Sequence, residues 1–170
     1  MTEILTKRTR LRYIEITDLE AIHVLYSLPE TDRYNALGIP DDTEVTRSFI
    51  EPSIAENKLP EIKNYTFAIE DKSTTEFIGL FGLKLGNPKY KRGEVWFKLY
   101  PKYWNKGYAT EALVAIIDFG FDTLNLHRIE AGCAVDNIGS IKVLEKAGMT
   151  REGRGRKVLP LKSGWADNYE

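Results

Sequence analysis

The chain has 170 residues and a nearly balanced charge, with 24 basic and 25 acidic side chains and a formal net charge of −1. This length is typical of one domain over residues 1–170, with a core that needs no metal or disulfide for support. Balanced charge provides no field for nucleic acid or an anionic membrane, so we expect neither as a partner.

The residues that could form cross-links or metal sites are few. One cysteine excludes an internal disulfide, and two distant histidines predict no metal site. The first residues carry no apolar signal core, and no apolar run approaches the roughly 18 residues that span a bilayer. We therefore expect a soluble cytoplasmic protein, and both a monomer and a homodimer are compatible with this sequence.

The first third of the chain predicts a strand followed by two helices. Residues 11–16 alternate between polar and apolar as a strand does, and Thr17 or Asp18 can cap the helix that follows. Turn residues dominate the connector 29–40. Acidic residues directly after this connector begin a second helix, which Pro52 breaks or kinks.

The middle of the chain predicts three antiparallel strands and a crossover. Residues 65–70 and 77–85 are apolar runs joined by a polar turn, and a second polar turn leads to the strand 94–100. Apolar residues then recur at helical spacing from about residue 107 to 124. Residues 127–135 return to strand character, so this strand and the strand 94–100 form a locally parallel pair.

The last part of the chain predicts a short helix and two strands. Asp136 or Asn137 can cap the helix, and Gly148 can end it. Residues 149–159 and 165–170 favour a sixth and a seventh strand. The basic residues of the sixth strand are typical of a solvated hairpin face, because no stacking aromatic residues are interleaved among them.

One loop in this pattern is suited to binding an anion. The sequence WNKGYATEA, from Trp104 to Ala112, connects the strand 94–100 to the long helix. A glycine at such a junction lets the backbone approach a ligand, and the first helical turn offers unpaired N–H groups at the positive end of the helix dipole. The glycine spacing alone is equally typical of an ordinary strand-to-helix turn.

Together with its neighbours, this loop resembles the acetyl-CoA motif of the GNAT N-acetyltransferases. The family order is a strand, an x-x-Gly-x-Ala loop, a long helix, a strand and an Asn-x-x-Ser helix, and residues 94–150 follow it. The loop is most similar to that of the ribosomal-protein alanine and serine N-terminal acetyltransferases. The resemblance implies an α/β (α+β) fold with a mixed, mostly antiparallel, twisted sheet of six or seven strands, about four flanking helices, and strands four and five splayed around the cofactor.

The resemblance also implies that acetyl-CoA is the cosubstrate. Trp104 stands where the family commonly has Gln or Arg, so the pyrophosphate would be held mainly by backbone N–H groups, with Lys106 as the nearest charge. Asn137 would bind the pantetheine arm, and N–H groups at a bulged end of the central strand would bind the acetyl carbonyl oxygen. The implied cofactor residues are Phe97, Lys98, Leu99, Trp104, Asn105, Lys106, Gly107, Tyr108, Ala109, Thr110, Asn137 and Ser140.

Two residues are candidates for catalysis. Glu94, on the central strand, is the best-placed carboxylate to accept the proton of the amine, directly or through water, and a salt-bridged strand glutamate is the alternative. Leu144 replaces the tyrosine that many family members use as the acid. In the ribosomal-protein branch the serine of Asn-x-x-Ser is the proposed substitute, which points to Ser140. A serine at this helical position is also common without any chemistry.

The acceptor is the part of the reaction with the fewest sequence signals. In the family, the connector between the first two helices forms one wall of the acceptor groove, so Arg33, Tyr34 and Asn35 are candidate substrate contacts, or else a solvated connector. The implied function is transfer of an acetyl group from acetyl-CoA to a primary amine, with a protein or peptide α-amine expected from the branch. A small amine such as an antibiotic or polyamine, or a CoA-binding module without turnover, is the alternative.

Overall fold

A computed structural model describes residues 3–170, so the first two residues of the predicted domain lie outside the described part. The strands of the larger sheet, in spatial order, are β1 (Glu3–Leu5), β2 (Thr9–Tyr13), β3 (Asn64–Asp71), β4 (Phe77–Leu85), β5 (Arg92–Leu99) and β6 (Arg128–Glu130). The smaller sheet, in the order β7-β9-β8, contains β7 (Cys133–Ala134), β8 (Arg154–Leu161) and β9 (Gly164–Tyr169). The helices are α1 (Leu19–Ser27), α2 (Pro29–Asp32), α3 (Thr43–Glu56), α4 (Tyr108–Asp118) and α5 (Ile138–Lys146).

Helices cover both faces of the larger sheet, so the core has two layers. On one face, Leu113 of α4 is buried in a cluster with Phe81 of β4. On the other face, Ile22 and Leu25 of α1 are buried in a cluster with Leu80 of the same strand. Successive strand residues point to opposite faces, which is why the neighbours Leu80 and Phe81 enter different layers. Within residues 3–170, no helix has both the length and the apolar character of a membrane span.

Strands β5 and β6 separate after a short parallel contact. They pair at three positions, from Arg92 with Arg128 to Glu94 with Glu130. Beyond Glu94, β5 continues to Leu99, while the chain after β6 enters the smaller sheet, where β7 pairs with β9. The edge of β5 that faces away from β4 is therefore open. The predicted mixed fold is confirmed, including antiparallel β3, β4 and β5 and the splayed pair.

The prediction of one continuous strand over residues 127–135 is wrong. The chain leaves the larger sheet at Ala131 and Gly132, and it changes its pairing partner from β5 to β9. At Gly132 a Cβ atom would lie 2.8 Å from Nδ2 of Asn168, so the side chain of β9 closely approaches the backbone there. Both pieces are extended, and for this reason their sequence does not reveal the break.

Two other predicted strands have different bounds. The strand predicted at 11–16 is β2, and the chain turns after it because Asp18 accepts hydrogen bonds from the Glu15 N–H at 2.8 Å and from Arg12 at 2.7 Å. The strand predicted at 149–159 begins later, as β8, since the chain after α5 first passes through a left-handed glycine, Gly148 (φ +87°). Strand β1 was not predicted.

Candidate active site

The loop between β5 and α4 has two residues with left-handed backbone. The φ angle is +58° at Asn105 and +82° at Gly107. Gly107 is the N-cap of α4, and its carbonyl is the first helical acceptor, which receives the Glu111 N–H at 3.0 Å. The N–H groups of the residues before Glu111 consequently point out of the helix end and form a surface suited to an anion. These residues are Tyr108, Ala109 and Thr110.

Two side chains hold this loop from outside. Nε1 of Trp104 donates a hydrogen bond to the Leu99 carbonyl at 2.8 Å, which fixes the start of the loop to the end of β5. Arg8, between β1 and β2, donates from Nη1 to the Lys106 carbonyl at 2.9 Å and lies 4.3 Å from the ring centroid of Tyr108. The loop is therefore positioned by β5 and by the N-terminal hairpin.

Arg8 is itself fixed by Glu111 of α4. One oxygen of Glu111 accepts from Nε of Arg8 at 2.7 Å, and the other accepts from the Arg8 backbone N–H at 2.7 Å and from Thr6 Oγ1 at 2.6 Å. Burial opposes ionisation of Glu111, but the hydrogen bonds from Thr6 and Arg8 outweigh it and lower its pKa. The glutamate of WNKGYATEA thus supports the loop.

We expect Glu111→Ala to lower the free energy of unfolding by about 2 kcal/mol at pH 7, because it leaves two Arg8 donors without an acceptor and removes one of the two acceptors of Thr6 Oγ1. The folded-state pKa of Glu111 is lowered, so its contribution is present above the unfolded value of about 4.3 and is lost as the pH falls through the folded value. Urea unfolding at pH 7 and pH 3 measures both effects. Glu51→Ala is the control, since Glu51 is 58% exposed; an equal loss in both variants would contradict the role of Glu111.

The second part of the site is the open edge of β5. The Tyr100 N–H donates to the Ile78 carbonyl of β4, so the even-numbered residues of β5 direct their N–H groups to β4. The N–H groups of Phe97 and Leu99 face the open edge, where a carbonyl oxygen can bind. The Lys98 N–H takes part in the pairing with β4. Of the three backbone donors predicted for the carbonyl oxygen, Phe97 and Leu99 therefore remain.

The family resemblance predicts that these free donors arise from a bulge at the end of the central strand, and the structure shows another origin. Pairing between β4 and β5 keeps one register from Gly79 with Leu99 to Leu85 with Gly93. The expected bulge at the end of the central strand is therefore wrong. The donors are free because β6 has left the edge of β5, and no distortion of β5 is needed.

The side chains of β5 alternate between the two layers of the protein. Phe97 and Leu99 lie in the layer of α4. Trp96 and Lys98 point to the other face, toward α1 and α3. Nζ of Lys98 lies 4.4 Å from the ring centroid of Tyr26 in α1. The backbone edge and the Lys98 side chain thus belong to one short stretch of strand but face different parts of the protein.

Glu94 lies where the splay begins. It is exposed, and it occupies the last position of the pairing with β6, opposite Glu130. At the rise of an extended strand, Glu94 is about 10 Å from Phe97 along β5. A proton path from an amine held near Phe97 to Glu94 would therefore pass through water.

The start of α5 brings two predicted residues together. Oδ1 of Asn137 accepts the Ser140 N–H at 3.2 Å, which confirms the predicted cap. The cap uses the oxygen alone, so the Nδ2 group of Asn137 can still donate to a ligand. Ser140 is half-buried in the first turn of α5, and its Oγ has no hydrogen-bond partner within residues 3–170.

A family model described as an acetyltransferase (GNAT) domain matches residues 8–150. The chain belongs to the GNAT acetyltransferase family. GNAT enzymes use acetyl-CoA, and relatives of this chain are named N-acetyltransferases. The predicted enzyme class is therefore confirmed.

Similar proteins cover nearly the whole chain. The uncharacterized N-acetyltransferase YnaD of Bacillus subtilis is 34% identical over 166 residues, which is 98% of this chain and 93% of YnaD. The spermidine N(1)-acetyltransferase of Escherichia coli is 29% identical over 152 residues, 85% of this chain and 74% of that protein. A GNAT acetyltransferase structure from Bacillus anthracis has a TM-score of 0.87 and 32% identity, and the match covers 99% of this chain and 95% of that one.

The geometry of this GNAT enzyme fits acetyl-CoA, which when bound supplies the acetyl group as a thioester. The open edge of β5 offers Phe97 and Leu99 N–H groups, and the α4 end offers a row of N–H groups beside Gly107. Lys106 is exposed and adds a positive charge at this loop. Asn137 lies after β7, on the opposite side of the splay.

The predicted acceptor wall is the connector between α2 and α3. Tyr34 donates from Oη to the Asp136 carbonyl at 2.9 Å, so it links the connector to the residue before the α5 cap. Arg33 is exposed, with its guanidinium carbon 5.4 Å from the ring centroid of Tyr34. Oδ1 of Asn35 accepts the Leu37 N–H at 3.2 Å, which is a local turn. Of the three predicted residues, Tyr34 hydrogen-bonds across to the segment that precedes α5.

Proposed function

We propose that this GNAT enzyme acetylates α-amines, in particular the N-termini of peptides or proteins. The observation that carries the proposal is the weakness of the acid and base groups. Glu94 is exposed and about 10 Å along β5 from the nearest open-edge donor, and Leu144 occupies the position of the usual acid. A site whose predicted base is this distant favours an amine that is already partly neutral.

The difference between amines is large enough to decide the acceptor. A peptide α-amine has a pKa of about 7.7–8.0 and a lysine side chain one of about 10.4, so lysine needs roughly 3 kcal/mol more to reach its neutral form. The resemblance of the loop to the ribosomal-protein branch supports the same acceptor. A polyamine is the second candidate, because a relative is named a spermidine acetyltransferase.

The proposed roles follow from the positions of the groups. The Phe97 and Leu99 N–H groups bind the carbonyl oxygen as its negative charge develops, which lowers the barrier most where water is excluded. Asn137 holds the pantetheine arm through Nδ2, and the N–H groups beside Gly107 hold the pyrophosphate. Glu94 accepts the proton of the amine through water, and Ser140 donates a proton to the leaving sulfur.

We expect a peptide with a free N-terminus to be acetylated far faster than its N-blocked counterpart that carries a lysine. Thiol release from acetyl-CoA measures both rates. The rate on the free peptide should rise with pH up to about the pKa of its α-amine, near 8, and Glu94→Gln should lower the plateau or move the rise to higher pH. Equal rates on the two peptides would disprove the α-amine assignment, and faster turnover of spermidine would favour the second candidate.

A further inference from the structure

Lys98 places a desolvated cation beside the reaction centre. In the sequence it lies between Phe97 and Leu99, the two open-edge donors, and its side chain points to the acceptor side of the sheet. Nζ lies over the ring of Tyr26, 4.4 Å from the centroid. Burial lowers the pKa of Lys98 to about 8, with the negative charge of Asp32 acting in the opposite direction.

Asp32 is a buried carboxylate with an unused oxygen. It ends α2, directly before the acceptor wall, and is 6% exposed. Its Oδ1 is buried and has no hydrogen-bond partner within the described chain. Such atoms are few in folded proteins, and each one calls for an explanation, such as strain, a catalytic role, or a water or ion at the site. Asp32 acts on the charge of Lys98, yet this oxygen does not hydrogen-bond to Nζ.

We propose that Asp32 and Lys98 select the acceptor by binding the two polar ends of an α-aminoacyl group. Asp32 accepts a hydrogen bond from the amine, and Nζ of Lys98 donates one to the neighbouring carbonyl or carboxylate oxygen. This inference rests on the proposed function and assigns its specificity. The two residues carry opposite charges, the negative charge of Asp32 acts on Lys98, and one oxygen of Asp32 lacks a partner within the described chain, which suits a group with a donor and an acceptor on adjacent carbons.

The same pair disfavours polyamines. A polyamine can satisfy Asp32 through one nitrogen, but it has no oxygen for Lys98. Its second ammonium group would also add positive charge where Lys98 is already desolvated, and like charges repel most strongly in such surroundings. Lys98 therefore makes the site of this enzyme less favourable for a polyamine than for an α-aminoacyl group.

The test compares three variants on three acceptors. Lys98→Met removes the charge at similar length, Lys98→Arg keeps the charge but cannot release a proton at the assay pH, and Asp32→Asn keeps the shape. The acceptors are a short peptide amide with a free N-terminus, free alanine and spermidine. The peptide amide and alanine distinguish a carbonyl from a carboxylate as the oxygen that Lys98 binds. Melting curves with and without acetyl-CoA check that each variant folds and keeps the cofactor site.

We expect Lys98→Met to reduce kcat/KM at least about tenfold on the better of the two oxygen-bearing acceptors, mainly through KM, since a buried charged hydrogen bond is lost. Its rate on spermidine should stay unchanged or rise, and Lys98→Arg should keep most of the peptide activity. Asp32→Asn should reduce activity on all three acceptors, because each one presents an amine.

Several results would overturn the inference. One is an equal loss of activity on the peptide and on spermidine in Lys98→Met. Another is an inactive Lys98→Arg, which would make Lys98 a proton acceptor. The third is an Asp32→Asn variant with unchanged activity. If Lys98→Met fails to fold, the activities of Lys98→Arg and Asp32→Asn still test the inference. Failure of the proposed function looks different, because the unmodified enzyme would then release no thiol with any α-amine, or would act on the blocked peptide as fast as on the free one.

Discussion

Glutamate in place of Gly107 is expected to abolish the stabilisation of the fold by acetyl-CoA. The new carboxylate would lie among the N–H groups that must meet the pyrophosphate, and the backbone there is left-handed, with φ +82°. In the unmodified protein, acetyl-CoA at about 100 times its dissociation constant should add roughly 2.7 kcal/mol to the free energy of unfolding. For a chain of this size the melting temperature then rises by about 5–10 °C.

Gly148→Glu is a matched control for this experiment. Gly148 has a similar φ of +87°, and a Cβ atom there would meet nothing within 4 Å. The control therefore carries a similar backbone strain and the same new charge at the C-terminal end of α5, away from the loop and from the Arg8 Nη2 that would lie 3.3 Å from a Cβ atom at Gly107. Its acetyl-CoA shift should equal that of the unmodified protein. A shift retained in Gly107→Glu, or absent from the unmodified protein, would contradict the assigned cofactor loop.

Ser140→Ala is expected to slow turnover tenfold or more while the affinity for acetyl-CoA stays nearly unchanged. Proton transfer by a positioned group typically contributes a factor of about 10²–10⁴ to the rate. The hydroxyl has no hydrogen-bond partner within the described residues, and the Asn137 cap binds the backbone N–H of this residue, so the fold does not depend on Oγ. Measurements of kcat from thiol release, and of the acetyl-CoA melting shift, separate the two effects.

Two further variants sharpen the assignment of Ser140. Ser140→Thr keeps a hydroxyl and should recover much of the rate. Asn137→Asp keeps the oxygen that caps α5 but loses the Nδ2 donor, so it should weaken acetyl-CoA binding, whereas Ser140→Ala should not. If Ser140→Ala turns over at the parental rate, Ser140 is only a helical residue and the thiolate takes its proton from water.

Local patterns were sufficient to predict the elements that carry the central part of the candidate site. The apolar spacing after Trp104 predicts α4, and the glycine before it marks the helix end where N–H groups are free. The predicted cap at Asn137 is confirmed by its hydrogen bond to the Ser140 N–H. These features depend on residues within one or two turns of each other, and sequence patterns report such short-range physics directly.

Contacts between distant segments could not be predicted in the same way. Arg8 and Glu111 are 103 residues apart, and nothing local to either residue indicates the other. Asp32 and Lys98 are likewise far apart in the chain, and the effect of the Asp32 charge on Lys98 depends on the packing of α1 and α2 on the sheet. The sequence does indicate the face of the sheet to which Lys98 points, because the alternation of β5 places its side chain on the same face as Glu94.

The two supports of the loop affect the entropy of ligand binding. Trp104 and Arg8 tie residues 104–107 to separate parts of the fold before any ligand arrives. Fixing the backbone of one residue costs roughly 1–2 kcal/mol of conformational entropy, and here that cost falls on folding and not on association. The N-terminal hairpin, although remote in sequence, therefore preorganises the loop that we propose as the cofactor site.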